Sequence, residues 1–325
     1  MARLNISRML ALIKRYWFLI ALGAVFTVTL ADRTGTVSSI GQWLKVRHGP
    51  DIAVVLIFLA SGILLEIEQV KAGLKDLTGT IAALGIIFII APLTALAFAQ
   101  IPLQTGILIG IFLVAVMPTT LSSGVVMTGA AGGNTAHALF ITILANTIAV
   151  FSVPIALSLL LPFIGGSTTV MIDRWHIMVK LFSIVLLPLC GGMAIKYFAD
   201  RLCIRIALML QVFNQSLILV IVWMGISQAR QAIFEGGRLI GGIILLSFLF
   251  HGVLLAAAWG IAHAFSIGRG RRESLIFMGA QKTLPLSIIL QVALFPQYGQ
   301  ALVFCVVHHI VHLIMDGYLV GKMKA

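Results

Sequence analysis

Ten apolar runs, each near the length that crosses a bilayer, follow one another along this 325-residue chain. A hydrocarbon core about 30 Å thick needs about 20 apolar residues per helix. The runs cover residues 16–31, 51–65, 79–99, 105–127, 134–161, 177–195, 206–228, 239–265, 273–295 and 298–320. Only 10% of the residues are charged and 60% are apolar, whereas a soluble domain carries about 25% charge. So few ionic side chains cannot cover a globule of this size. A soluble enzyme, a disordered chain and a nucleic-acid-binding module are thereby excluded. The expected surroundings are a lipid bilayer, with no nucleic acid.

The net charge of +12 reads as topology, not as an acidic partner. Most Lys and Arg residues fall on the side that holds the N-terminus, the C-terminus and the loops around Lys71, Arg201 and Arg271. Cytosolic loops carry such an excess, so both termini are expected in the cytosol. Arg3, Arg8, Lys14 and Arg15 precede the first run much as in a signal peptide, but no small-residue cleavage pattern follows, and the run is read as retained. Residues 32–50 read as a surface loop with a short interfacial helix. Cys190, Cys203 and Cys305 have neither metal-ligand spacing nor the pattern of a disulfide framework.

Ten spans divide as five and five, 1–161 and 162–325. An odd number of spans per half turns the second half upside down, which is an inverted repeat. Two runs are interrupted at matching places. The fourth holds Met117-Pro118-Thr119-Thr120-Leu121-Ser122-Ser123-Gly124, and the ninth holds Gly279-Ala280-Gln281-Lys282-Thr283-Leu284-Pro285. Proline removes a backbone N–H and clashes with the preceding turn. Lipid cannot satisfy the groups set free, so such breaks survive only inside protein or along a wet cavity. Half-helix N-termini there can hold an anion, and freed carbonyls a cation. Pro118, Thr119, Thr120, Thr283 and Pro285 are therefore candidates at a substrate site. Pro92, Pro154 and Pro188 read as packing kinks.

Lys282 lies deep within its span, where burying a charge costs a few kcal/mol even on lenient scales. It is expected to act either in function or as a tether for the broken helix. The ten carboxylates read as loop or span-edge residues, with Asp316 toward the cytosolic end of the last run, so none is expected near the bilayer centre. Ser123, Thr142 and either Asn134 or Asn146 are candidate oxygen ligands for a cation. The spacing of Asn134, Thr142 and Asn146 puts them on one helical face. His308 and His312, one turn apart with Asp316 a turn further on, have a spacing that suits a transition metal, though helix packing is the commoner use. His309 is expected to point away from that pair, toward a hydrogen bond with a neighbouring helix, and His251 and His263 to serve packing or a helix interface. No HExxH, no paired intramembrane aspartates and no Ser/His/Lys constellation suggests an enzyme.

The segments Met117–Ser123, Ala131–Asn134 and Gln281–Pro285 resemble those of the sodium/bile-acid cotransporter family, solute carrier family 10, and most of all its orphan branch of member seven and bacterial relatives. The resemblance covers essentially the whole chain. It implies an all-α integral membrane fold of ten helices, with the broken fourth and ninth crossing. It implies a panel domain (helices 1, 2, 6 and 7), a core domain (helices 3–5 and 8–10) and alternating access between them. For the cation and coupling sites it implies Ser122, Ser123 and Thr142, with Gln281 matching a ligand of a second site beside Lys282. The chain departs from the bile-acid branch at four places. Gly124 stands for an Asn, Ala138 for a Ser, Phe277 for a Glu and Ile87 for a Gln. Na+ is the implied co-substrate, no cofactor is implied, and a bacterial inner membrane is the expected location. The expected function is secondary transport of a small organic anion or amphipathic solute. Coupling to sodium at a degraded first site, coupling to protons, no coupling, and a non-transporting regulator of calcium-homeostasis type all stay open on the sequence.

Overall fold

The computed structural model describes residues 17–18, 20–65, 77–120, 123–164, 173–235 and 237–323. All regular structure among them is helical. We number the helices α1 (Ile20–Ala31), α2 (Thr36–Val46), α3 (Gly49–Leu64), α4 (Leu77–Phe98), α5 (Thr105–Val116), α6 (Ser123–Ala130), α7 (Thr135–Leu160), α8 (Arg174–Phe198), α9 (Asp200–Glu235), α10 (Gly237–Ala264), α11 (Arg271–Ala280), α12 (Leu284–Leu294) and α13 (Gly299–Met323).

Seven of these are long and apolar enough to cross a membrane, counting α11 with α12 as one. The pair α2–α3, bent by 72°, makes an eighth. The shorter α1 and α5 are apolar but fall below spanning length by themselves. Ten spans are therefore more than length and apolarity alone give. For the fourth run the physical reason is its break, where Met117–Thr120 is non-helical and divides it into α5 and α6, while the first run lies partly outside the described residues.

Burial sets α11–α12 and α5 apart from the outer helices. In the apolar window of α11–α12, 94% of residues are buried, against 28% for α10. Every residue of α5 after Thr105 is buried as well. The breaks thus lie where lipid cannot reach their backbone groups. Large apolar side chains such as Leu208 and Ile81 cover the outside.

Glycines let α3 and α8 meet backbone to backbone. A methyl group on Gly192 would sit 2.1 Å from the Leu59 carbonyl oxygen, and one on Gly62 would sit 2.2 Å from that of Leu189. Small residues at membrane helix crossings permit this approach. The expected helix within 32–50 is α2, and it packs on α9.

Two spans carry a wide, π-type turn just before a proline. In α4 it is Ile86–Ile90 before Pro92, and in α8 it is Phe182–Leu186 before Pro188. In α4 the Ala91 N–H reaches back five residues to the Ile86 carbonyl. The next bond of that register would need an N–H from residue 92, which is proline and has none. The Ile87 carbonyl is left open. Pro92 therefore does more than the packing kink expected from the sequence.

Candidate functional site

Three consecutive residues of the second break hold the first. The Thr283 N–H donates to the Pro118 carbonyl at 2.9 Å. Lys282 Nζ donates to the carbonyls of Ile87 (2.9 Å), Ala115 (3.1 Å) and Met117 (3.0 Å). Gln281 Oε1 accepts from Thr120 Oγ1 (2.9 Å) and Ser123 Oγ (3.0 Å). Thr120 Oγ1 in turn accepts from the Gly124 N–H at 3.0 Å and caps the start of α6.

The surroundings of Lys282 follow from the chain. Ala115 and Met117 end α5, where a helix leaves its last carbonyls without partners. Pro118 follows and brings no N–H. The Ile87 carbonyl is the one opened by Pro92. An ammonium has three protons, and here each meets one carbonyl. The partial negative charge of a helix C-terminus favours a cation at this point. Lys282 is 2% exposed, and its ammonium bridges α4 and the end of α5.

Beside the crossing lies a cavity of about 460 Å³. One wall is α3 and α9, with Phe58, Ser61 and Asn214. The other is the crossing, with Thr119, Thr120, Ser123, Thr283 and Pro285, together with Asn146 of α7. Most of its lining is apolar. Thr119 Oγ1 and Asn146 Oδ1 are buried and have no hydrogen-bond partner among the described residues. The Asn146 amide donates to the Thr142 carbonyl at 2.9 Å, which fixes its orientation.

Not every expected residue joins this site. Asn134 is the N-cap of α7 and accepts the His137 N–H at 3.1 Å. It precedes the helix, so the face it was expected to share with Asn146 does not bring it to the cavity. Thr142 is buried, but its hydroxyl donates to the Ala138 carbonyl of its own helix. Ser122 lies outside the described residues. A methyl group on Gly124 would sit 2.8 Å from Met278 Sδ and 3.1 Å from Gln281 Oε1, so the place of the missing Asn is already filled. Among the described residues no group of His, Cys, Asp and Glu is arranged to hold a metal.

One expectation about the carboxylates does not hold. Asp316 is fully buried and its Oδ2 accepts from Gln281 Nε2 at 2.7 Å, so a carboxylate does reach the crossing. Its Oδ1 accepts from His251 Nε2 of α10 at 2.9 Å. His251 thus hydrogen-bonds the carboxylate from a neighbouring helix, an interface role. His312 Nδ1 lies 3.7 Å from Asp316 Oδ2, and its Nε2 meets His309 Nδ1 at 2.8 Å. His309, expected to point away, joins the pair and lines the cavity. Within α13 the four-residue step from His312 to Asp316 was the available signal. His251 lies 65 residues away along the chain, beyond any local spacing.

The sequence is similar to several membrane carriers. The probable sodium/metabolite cotransporter BASS4, chloroplastic, of Arabidopsis thaliana is 27% identical over 281 residues, 82% of this chain and 64% of that protein. Its counterpart in Oryza sativa subsp. indica is 27% identical over 287 residues, 82% of this chain and 66% of that protein. Sodium/bile acid cotransporter 7 of Rattus norvegicus is 31% identical over 201 residues, 60% of this chain and 57% of that protein. The chain thus spans about two thirds or less of the length of these relatives. The profile of the SBF-like CPA transporter family matches residues 16–325. With its all-helical, membrane-length architecture and two crossed breaks, the chain belongs to the SBF-like CPA transporter family.

Proposed function

We propose that this protein is a secondary carrier that moves a small organic anion or amphipathic solute by alternating access. The observation that carries the reading is the cavity between α3–α9 and the crossing, a mostly apolar lining into which a few polar residues are set, among them Thr119, Thr120, Asn146 and Thr283. Ligand sites are built this way, with few polar groups orienting a largely apolar contact. In this reading the ten runs form two inverted five-helix halves, 1–161 and 162–325. Helices 1, 2, 6 and 7 make the panel, and 3–5 with 8–10 make the core. The cavity is the seam along which the core moves. Thr283 and Leu284 at the start of α12 turn a positive helix end toward it.

Lys282 takes the place of a second cation, because its ammonium fills three carbonyls as a bound ion would. The relatives' names state sodium coupling for those proteins. For this chain, sodium at the first site would rest on Ser122 and Ser123, with Thr142 turning its hydroxyl toward them from its present bond to Ala138. The carrier works in a bacterial inner membrane with both termini in the cytosol.

The test is uptake of labelled organic anions and amphipaths, drawn from a broad panel, into proteoliposomes. Wild type should accumulate at least one solute, and Asn146→Ala should raise its KM at least tenfold. No uptake and no saturable binding of any panel member by stable, monodisperse protein would overturn the reading.

A further inference from the structure

We propose that a trough between α4 and α10 is a binding site for one anionic phospholipid, whose tail lies along α4 and whose phosphate is met by Arg269.

The trough has a volume of about 390 Å³. Ile81, Gly85 and Ile89 of α4 line it, with Ile261 of α10 and Phe265 just beyond that helix. Its lining is almost wholly apolar. Ile81, Ile89 and Phe265 stay largely exposed, so it opens on the outer face of the bundle. Small residues leave the space. Ala82 brings one carbon and Gly85 none, and a methyl group added to Gly85 would meet nothing within 4 Å. Along α4 the trough runs from Thr78 to Ile90, a rise of about 18 Å for a helix. Half of a hydrocarbon core about 30 Å thick is about 15 Å, so the trough has the length of one lipid tail.

Lipid wets every outer helix, and an apolar trough alone selects no particular one. The charge at its end does. Phe98 of α4 meets Phe250 of α10 with ring centres 6.0 Å apart, while the first half of α4 shares the trough with Ile261 and Phe265. The two helices therefore run antiparallel, and the start of α4 lies toward the loop that follows α10. In that loop the Ile267 N–H returns to the Ala262 carbonyl at 2.8 Å and Ser266 takes a φ of 50°, so the chain turns sharply. Arg269 comes four residues after Phe265, within about 14 Å of chain.

Arg269 is exposed, and among the described residues no carboxylate pairs with it. The one acid of the neighbourhood is already engaged. Glu273 is buried, and its carboxylate accepts from Arg272 at 2.8 Å and from the Gly270 N–H. Arg272 in turn lies over the Trp259 ring of α10, 5.2 Å from its centre, which holds the loop against that helix. An apolar trough thus ends beside an uncompensated guanidinium, a planar fork of donors that suits phosphate oxygens. A phospholipid of net negative charge matches both parts, whereas a zwitterionic one brings its own cation to the same place. With the termini cytosolic, this end faces the leaflet in which anionic lipids concentrate. The site requires neither that orientation nor the carrier reading.

The experiment uses the purified full-length protein in detergent. It is titrated with phosphatidylglycerol and, separately, with phosphatidylcholine of the same tails, and native mass spectrometry counts the lipid bound per chain. Wild type should hold one phosphatidylglycerol at least fivefold more tightly than phosphatidylcholine. Arg269→Gln should lower that preference about fivefold, since one arginine near a membrane surface is worth about that factor for an anionic lipid. Gly85→Phe places a ring in the trough and should abolish tight binding of both lipids. Gly241→Phe is the control, because Gly241 is an exposed position of α10 where an added methyl would also meet nothing, away from the trough. Equal retention of the two lipids by wild type, or wild-type retention of phosphatidylglycerol by Gly85→Phe, would overturn the proposal. So would displacement of the lipid by millimolar glycerol phosphate, which would make a free phosphate the ligand. The wild-type preference and the glycerol phosphate competition decide the matter even if Gly85→Phe does not fold.

Discussion

Lys282 Nζ reaches a carbonyl of α4 in the wide turn before Pro92, at 2.9 Å from the oxygen of Ile87. A proline of α4 thus lies beside the seat of a lysine between α11 and α12. Replacing Lys282 by Met keeps the stem and removes the ammonium, which strands three buried carbonyls. Each stranded group costs about 1–3 kcal/mol, so a loss of several kcal/mol is expected in thermal unfolding. Pro92→Ala restores an N–H that competes for the same region of α4. The double variant should then be less destabilised than the sum of the two, because contacting residues couple. Simple additivity would disconnect Pro92 from Lys282.

If the ammonium of Lys282 stands where a cation would, removing the whole side chain should open that position to one. Lys282→Ala is expected to gain sodium-dependent thermal stabilisation at constant ionic strength, because three carbonyls at a helix end suit a cation. Wild type should gain none from this position. An unchanged sodium response in the variant would leave Lys282 as a tether and nothing more.

The sequence carried the two breaks and the buried lysine because those features are local. Proline, hydroxyls and one charge inside an apolar run are visible without a fold. The fold decides what each residue meets. Asp316 lies near the end of its run, and depth judged from sequence position put it at the edge. Its burial depends on His251 and Gln281, which come from other helices. Pro92 reads as a kink until the Ile87 carbonyl is seen to face a side chain 195 residues away. Asn134 has the spacing to share a face with Asn146, yet a residue just before a helix serves better as its cap.

At the crossing of α3 and α8 the backbones touch, so added volume has nowhere to go. A methyl on Gly192 meets a main-chain oxygen at 2.1 Å, and backbone cannot rotate aside as a side chain does. Gly192→Ala should cost about 1–3 kcal/mol in thermal stability. Gly191→Ala serves as the control, since its methyl would meet only Leu59 at an ordinary 3.6 Å. Equal behaviour of the two variants would mean that the close crossing is absent.

Asp32 binds α2 at its start through an unusually complete set of donors. Its carboxylate accepts from the Thr34 hydroxyl (2.7 Å) and from the backbone N–H groups of Thr34, Gly35, Val37 and Ser38. The Thr34 hydroxyl and these N–H groups hold the carboxyl below its ordinary value of 3.8, against a smaller opposing effect of burial. A carboxyl lowered in the folded state stabilises the protein fully above its unfolded pKa. That contribution fades as pH falls through the lower folded value. Amide hydrogen exchange at the start of α2 should therefore be slow, relative to unstructured peptide, at neutral pH and lose that protection only in strong acid. Asp32→Ala should lose it at neutral pH already. The loss should stay confined to α2, because Asp32 touches its first turn while the crossing of α5–α6 with α11–α12 is built without it. Protection that is unchanged in Asp32→Ala would show that α2 is held by its packing on α9 alone.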